Sequence, residues 1–119
     1  MTEPLSPVDV SVCVTCQGHG GERPGVAMHH ALQALADPQA MRVHAVECFA
    51  VCKRPCMVAV SSPGKWTYLI GDLDVASDVG ALLEYARAYA ASASGTPTLG
   101  ERPKAIRKGT IARIPPQPA

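Results

Sequence analysis

Five cysteines in a chain of 119 residues fall into two groups, and each group closes a run with the two-residue alternation of a β-strand. In "VDVSVCV" the valines Val8, Val10, Val12 and Val14 alternate with other residues and deliver Cys13, with Cys16 three positions on. In "MRVHAVE" the residues Met41, Val43 and Ala45 alternate and deliver Cys48, with Cys52 and Cys56 following at four-residue steps. That step would align sulfurs along one helix face, but Pro55 opposes a continuous helix through Cys52 and Cys56, so the segment reads as a loop. Between the two runs, "GVAMHHALQALAD" carries Met28, Ala31, Leu32 and Leu35 at helical spacing and is stopped by Pro38. If the strands are parallel neighbours joined by that helix, a right-handed crossover sets their carboxyl ends on one sheet edge, where cysteines distant in sequence meet.

The length suits one domain with one modest core. Aromatic residues are scarce (Phe49, Trp66, Tyr68, Tyr85 and Tyr89), so aliphatic side chains are expected to fill that core, and a metal site would help to hold it together. The chain opens with no charged and apolar signal segment, and no run is long enough to span a membrane; the expectation is a soluble, cytoplasmic protein. In a reducing compartment an odd number of cysteines points to metal ligation or redox chemistry rather than to a disulfide scaffold.

After Cys56, "MVAVSS" and "WTYLIGD" flank the turn "PGK" as a β-hairpin. "DVASDVGALLEYARAYAAS" then places Val75, Val79, Leu82, Ala86 and Tyr89 on one helical face, with Asp74 or Ser77 available to cap its start. The expected order is β-α-β-β-β-α with four strands. Beyond it, residues 101 to 119 carry Arg102, Lys104, Arg107, Lys108 and Arg113 against Glu101, whereas the first hundred residues carry six basic and nine acidic side chains. This basic tail lacks an aromatic residue on which a base could stack, so nucleic acid is not the expected partner. A solvated tail folding against the acidic body is the plainer reading.

The order of elements together with Cys48-x3-Cys52 resembles the thioredoxin-like [2Fe-2S] ferredoxins, which carry such a pair after the second strand and a hairpin like "VAVSSPGKWTYLIGDLD" after it. The resemblance covers about residues 8 to 91. Cys13-x2-Cys16, the series Cys48, Cys52, Cys56 and the basic ending "RPKAIRKGTIARIP" are closer still to a bacterial family of short predicted metal-binding proteins of unknown function. The resemblance implies an α/β, thioredoxin-like fold of the ferredoxin type, with a mixed four-stranded sheet. Residues 1–95 would form the metal- or cluster-binding domain and residues 96–119 a basic, proline-containing C-terminal extension. It further implies a [2Fe-2S] cluster on Cys13, Cys16, Cys48 and Cys52. This chain departs from the ferredoxins in having no cysteine between Gln17 and Arg42, so Cys16 must replace their later ligand; Cys56 stands as a substitute ligand, a spare thiol or a small buried residue.

Four soft thiolates suit a pair of bridged irons, and the glycine loop after Cys16 can bend to offer backbone N–H groups to the sulfurs. The alternative is zinc at the same cysteines, holding the domain together. Thiol–disulfide exchange at "CVTC" is disfavoured because "QGHGGERPG" delays the helix whose N-terminus would stabilise a thiolate. Among the histidines, only His19 lies beside the expected site; His29, His30 and His44 read as ordinary surface or half-buried residues. No nucleophile triad, phosphate loop or dinucleotide fingerprint occurs, so no enzyme active site is expected. The expected function is one-electron transfer to a redox partner protein, with Lys53 and Arg54 placed to orient an acidic one, and with a homodimer as the implied assembly. The alternative is metal binding or delivery, which the resemblance links to cobalamin-related metabolism.

Overall fold

The computed structural model describes residues 8–14, 23–36, 41–47, 56–97, 100 and 102–116. Strand β1 (Val8–Cys13) is followed by helix α1 (Pro24–Leu35), strand β2 (Met41–Val46), the hairpin β3 (Val58–Ser61) and β4 (Thr67–Ile70), and helix α2 (Val79–Ala91). A short helix α3 (Lys104–Gly109) and strand β5 (Thr110–Ile114) complete the chain. The strands form a single sheet in the order β2-β1-β3-β4-β5. Its β1–β2 pair is parallel and the remaining pairs are antiparallel. The parallel pairing expected of the two cysteine-bearing runs is therefore present, with α1 as the connection.

Alternation along the strands sorts the side chains into two faces. Val8, Val10 and Val12 point into the main core with Val58, Val60, Tyr68 and Ile70, where they meet Met28 and Leu32 of α1 and Leu82, Tyr85, Ala86 and Tyr89 of α2. The valines are fully buried, each contributing roughly 1.5–3 kcal/mol of transfer free energy relative to exposure. Expectation and structure differ in what fills this core. Three of the scarce aromatics are its largest side chains, with the Tyr68 and Tyr85 rings edge to face at 5.8 Å and Tyr85 and Tyr89 at 6.1 Å. Leu35, assigned by its spacing to the buried face of α1, is 65% exposed because α1 ends there.

The expected four-stranded sheet is corrected to five strands. The basic C-terminal region supplies the fifth, β5, antiparallel to β4. It also supplies α3, which is anchored by the fully buried Ile106. Helix α2 starts later than its sequence pattern suggests: residues 75–77 form a turn. Asp74 accepts a hydrogen bond from the Ala76 N–H (2.8 Å), and Asp78 accepts one from the Asp74 N–H (2.7 Å). Neither Asp74 nor Ser77 caps the helix; Asp78 occupies the N-cap position without a side-chain capping bond.

Candidate metal centre

Cys13 is the last residue of β1 and lies in register with Val46, the last residue of β2. The Val14 N–H donates to the Val46 carbonyl (2.9 Å), extending the pairing to the sheet edge where Cys48 follows two residues later. On its other side the Cys13 N–H donates to the Met57 carbonyl at 3.0 Å. Cys13 is thus fixed between the end of β2 and the approach to β3, and it is fully buried. Its Sγ lies 3.5 Å from the Glu47 carbonyl oxygen, to which the thiol donates.

Cys56 stands one residue before Met57 and is also buried. Its N–H donates to the Leu73 carbonyl and its carbonyl accepts from the Leu73 N–H, each at 3.4 Å. Burial, reinforced by the charge of Cys13, pushes the Cys56 thiol up to about 12. The structure therefore brings together one expected ligand, Cys13, and the expected spare, Cys56. Cys16, Cys48 and Cys52, together with His19, Lys53 and Arg54, lie outside the described residues. Among the described residues no group of three or more Cys, His, Asp or Glu could hold a metal ion.

The described donor set fits a soft metal as far as it extends, because the buried groups at this edge are sulfurs. Harder donors lie on the neighbouring elements. Asp9 accepts from Arg42 at 2.9 and 3.0 Å and is 2.9 Å from His44 Nε2, and the His29 and His30 rings lie edge to face on α1.

Three contributors were not evident from the sequence. Gly25, in the first turn of α1, lies against the backbone of Cys13: a Cβ there would overlap the Cys13 carbonyl oxygen. The glycine-rich segment delays the helix in sequence but not in space, and Pro24 at the helix start was the available signal. Met57 is fully buried with Cys13 in a second apolar cluster, against which Leu69 and Ile111 pack. Ile111 belongs to β5, so the C-terminal strand packs against the cluster that Met57 forms with Cys13.

The fold is that of the thioredoxin-like ferredoxins. The chain is similar to the structure of a thioredoxin-like [2Fe-2S] ferredoxin from Aquifex aeolicus, with a TM-score of 0.62 and 19% identity over 96% of this chain and 99% of that one. The wild-type ferredoxin of that name, solved at 1.5 Å, matches with a TM-score of 0.58 and 16% identity over 90% of this chain and 98% of its own. The family described as "Protein of unknown function (DUF1636)" matches residues 10–116, and the chain belongs to it. No curated protein gives a match. Among the described residues no helix is long and apolar enough to cross a membrane.

Proposed function

We propose that the protein is a one-electron carrier holding a [2Fe-2S] cluster on Cys13, Cys16, Cys48 and Cys52. The observation that carries this reading is the buried Cys13 at the end of β1, in register with Val46 two residues before Cys48, on a fold shared with [2Fe-2S] ferredoxins. Solved variants of the Aquifex aeolicus ferredoxin replace cysteines four positions apart, the spacing of Cys48 and Cys52. When bound, the cluster supplies the one-electron couple. The chain's part is to hold the ligands at a rigid sheet edge and keep water from them: Met57 clusters with the buried Cys13, and Leu69 and Ile111 pack against that cluster. In this reading the protein is not an enzyme. It acts in the cytoplasm on a redox partner protein, without nucleic acid, and as a homodimer. Residues 1–95 carry the centre and the extension 96–119 completes the sheet beside it.

A second reading, binding and delivery of zinc or another divalent ion, rests on Cys56, a further buried thiol beside Cys13. Protein purified without oxygen distinguishes the two. A reddish-brown chain with iron and acid-labile sulfide near two each, reduced reversibly by dithionite with the metal retained, supports the carrier. Colourless protein with one zinc that passes to a chelator or an acceptor rejects it.

A further inference from the structure

The cations of the C-terminal region are held on a rigid surface rather than on a solvated tail. Ile106 is fully buried, the Gly71 N–H donates to the Gly109 carbonyl (2.8 Å), and the Thr110 hydroxyl donates to the Ile106 carbonyl (2.7 Å), so α3 and the start of β5 are fixed to the domain. Lys104, Arg107 and Lys108 are exposed on α3 and Arg113 is exposed on β5. The ion pairs among the described residues all fall at Asp9, between β1 and β2 at the other end of the sheet. Of the carboxylates after β4, Asp72 is engaged, and Asp74 and Asp78 accept from backbone N–H groups of their own turn. The four cations therefore have no acidic partner within the described residues.

Apolar groups adjoin this charge. Ile114 is 44% exposed, and Ile111 packs against the cluster that Met57 forms with Cys13. The patch thus lies on β5, with β4 and β3 between it and the strand that carries Cys13. A cationic rim around apolar groups matches the anatomy of a protein interface, and unpaired charge steers an acidic partner into register. Nucleic acid fits less well: the Arg113 guanidinium sits 4.7 Å over the Trp66 ring, the one indole of the chain, and occupies the face a base would need.

We propose that the α3–β5 face is a docking surface for an acidic protein, identified with the redox partner on the strength of the carrier reading above. Charge steers the partner onto Lys104, Arg107, Lys108 and Arg113, and the exposed Ile114 beside them supplies an apolar contact.

Titration of the full-length chain with poly-L-glutamate at low salt, read by Trp66 fluorescence, tests this. Saturable binding is expected. It should weaken about tenfold or more in the combined Lys104→Glu, Arg107→Glu, Lys108→Glu variant, and measurably as ionic strength rises through the range where the Debye length is about 10 Å. Arg113 is left in place so that the Trp66 signal is comparable. The corresponding triple Gln variant, with less perturbation of the fold, should fall between the two, and Arg23→Glu at the N-cap of α1 should bind like the parent chain. Equal binding by parent and triple Glu variant, or no binding at low salt, overturns the proposal. So does tighter binding of single-stranded oligothymidylate than of poly-L-glutamate. Self-association that the same reversals abolish, with no poly-L-glutamate binding, makes a second copy the occupant and also overturns it. Because binding requires no cluster, a chain that holds zinc and still binds poly-L-glutamate refutes the carrier reading while the docking surface stands.

Discussion

Gly25 in the first turn of α1 rests on the carbonyl of Cys13 so closely that any side chain there would enter the space of the oxygen. The contact joins the helix start to the strand end that carries the first candidate ligand. It explains how the chain leaves the sheet after Cys13 and returns to it: the crossover is drawn tight by the absence of one Cβ.

The first prediction follows from that contact. Gly25→Ala forces a methyl group against backbone that cannot rotate away and should cost about 2–3 kcal/mol. Gly80, near the start of α2, has nothing within 4 Å of an added Cβ, and Gly80→Ala should stabilise by about 0.5 kcal/mol through helix propensity. Urea denaturation of the metal-free chain measures both. Equal effects of the two changes would contradict the packing described at Cys13.

The second prediction concerns the C-terminal region. Ile106→Ala should cost about 2–5 kcal/mol, the range for truncating a fully buried isoleucine, whereas Lys104→Ala on the exposed side of the same short helix should change stability by less than about 0.5 kcal/mol. Amide exchange would then be expected to rise throughout β5 in the Ile106 variant. If Ile106→Ala is silent, α3 is not an anchor and the fifth strand is not held by it.

The fate of that region marks what the sequence could and could not disclose. The strands of Val8–Cys13 and Met41–Val46 were legible because alternation over six residues leaves one register that buries one face, and their parallel pairing sets Cys13 level with Val46. Strand β5 was not. "TIARI" is five residues long, lies between a basic helix and Pro115-Pro116, and becomes a strand because β4 offers it an edge. The helical face of Val75, Val79, Leu82, Ala86 and Tyr89 does pack on the core, and Tyr85, which its pattern leaves out, joins it between Leu82 and Tyr89. At the site, the place of Cys13 at the end of β1 could be read from spacing. Its contacts to Gly25 and Met57 depend on tertiary packing that no local pattern encodes.

The third prediction is a dependence on pH. Burial opposes ionisation of Asp9, but hydrogen bonds from His44 and Arg42, with their charges, outweigh it and hold the carboxyl below the usual carboxylate range. A group with a lowered folded pKa adds stability that is present above its unfolded value, about 3.9, and is lost as pH falls through the folded value. Asp9→Asn should therefore cost about 1 kcal/mol at pH 7 and should flatten the loss of stability below about pH 4. Denaturation of the metal-free chain between neutral and acid pH measures this; parallel curves for parent and variant would remove Asp9 from the account.

The last prediction separates the two described cysteines. A metal binds thiolate, so each ligand must surrender its proton. For Cys56, pushed up to about 12 by burial and by Cys13, that step costs roughly 4 kcal/mol more than for an ordinary thiol. Its backbone is also committed in both directions to Leu73, which limits how far it can turn toward a metal. Cys13 lies in register with Val46, two residues before Cys48 in the sequence. Cys13→Ser should therefore abolish the visible spectrum and the bound iron, whereas Cys56→Ala should leave both nearly unchanged and lower only the stability of the fold, by about 1–2 kcal/mol for the small cavity. Cys16→Ser should behave like Cys13→Ser if Cys16 is the fourth ligand. Should Cys56→Ala bleach the protein while Cys16→Ser does not, the buried thiol beside Cys13 is a ligand after all, and the metal rather than the apolar core is what keeps it there.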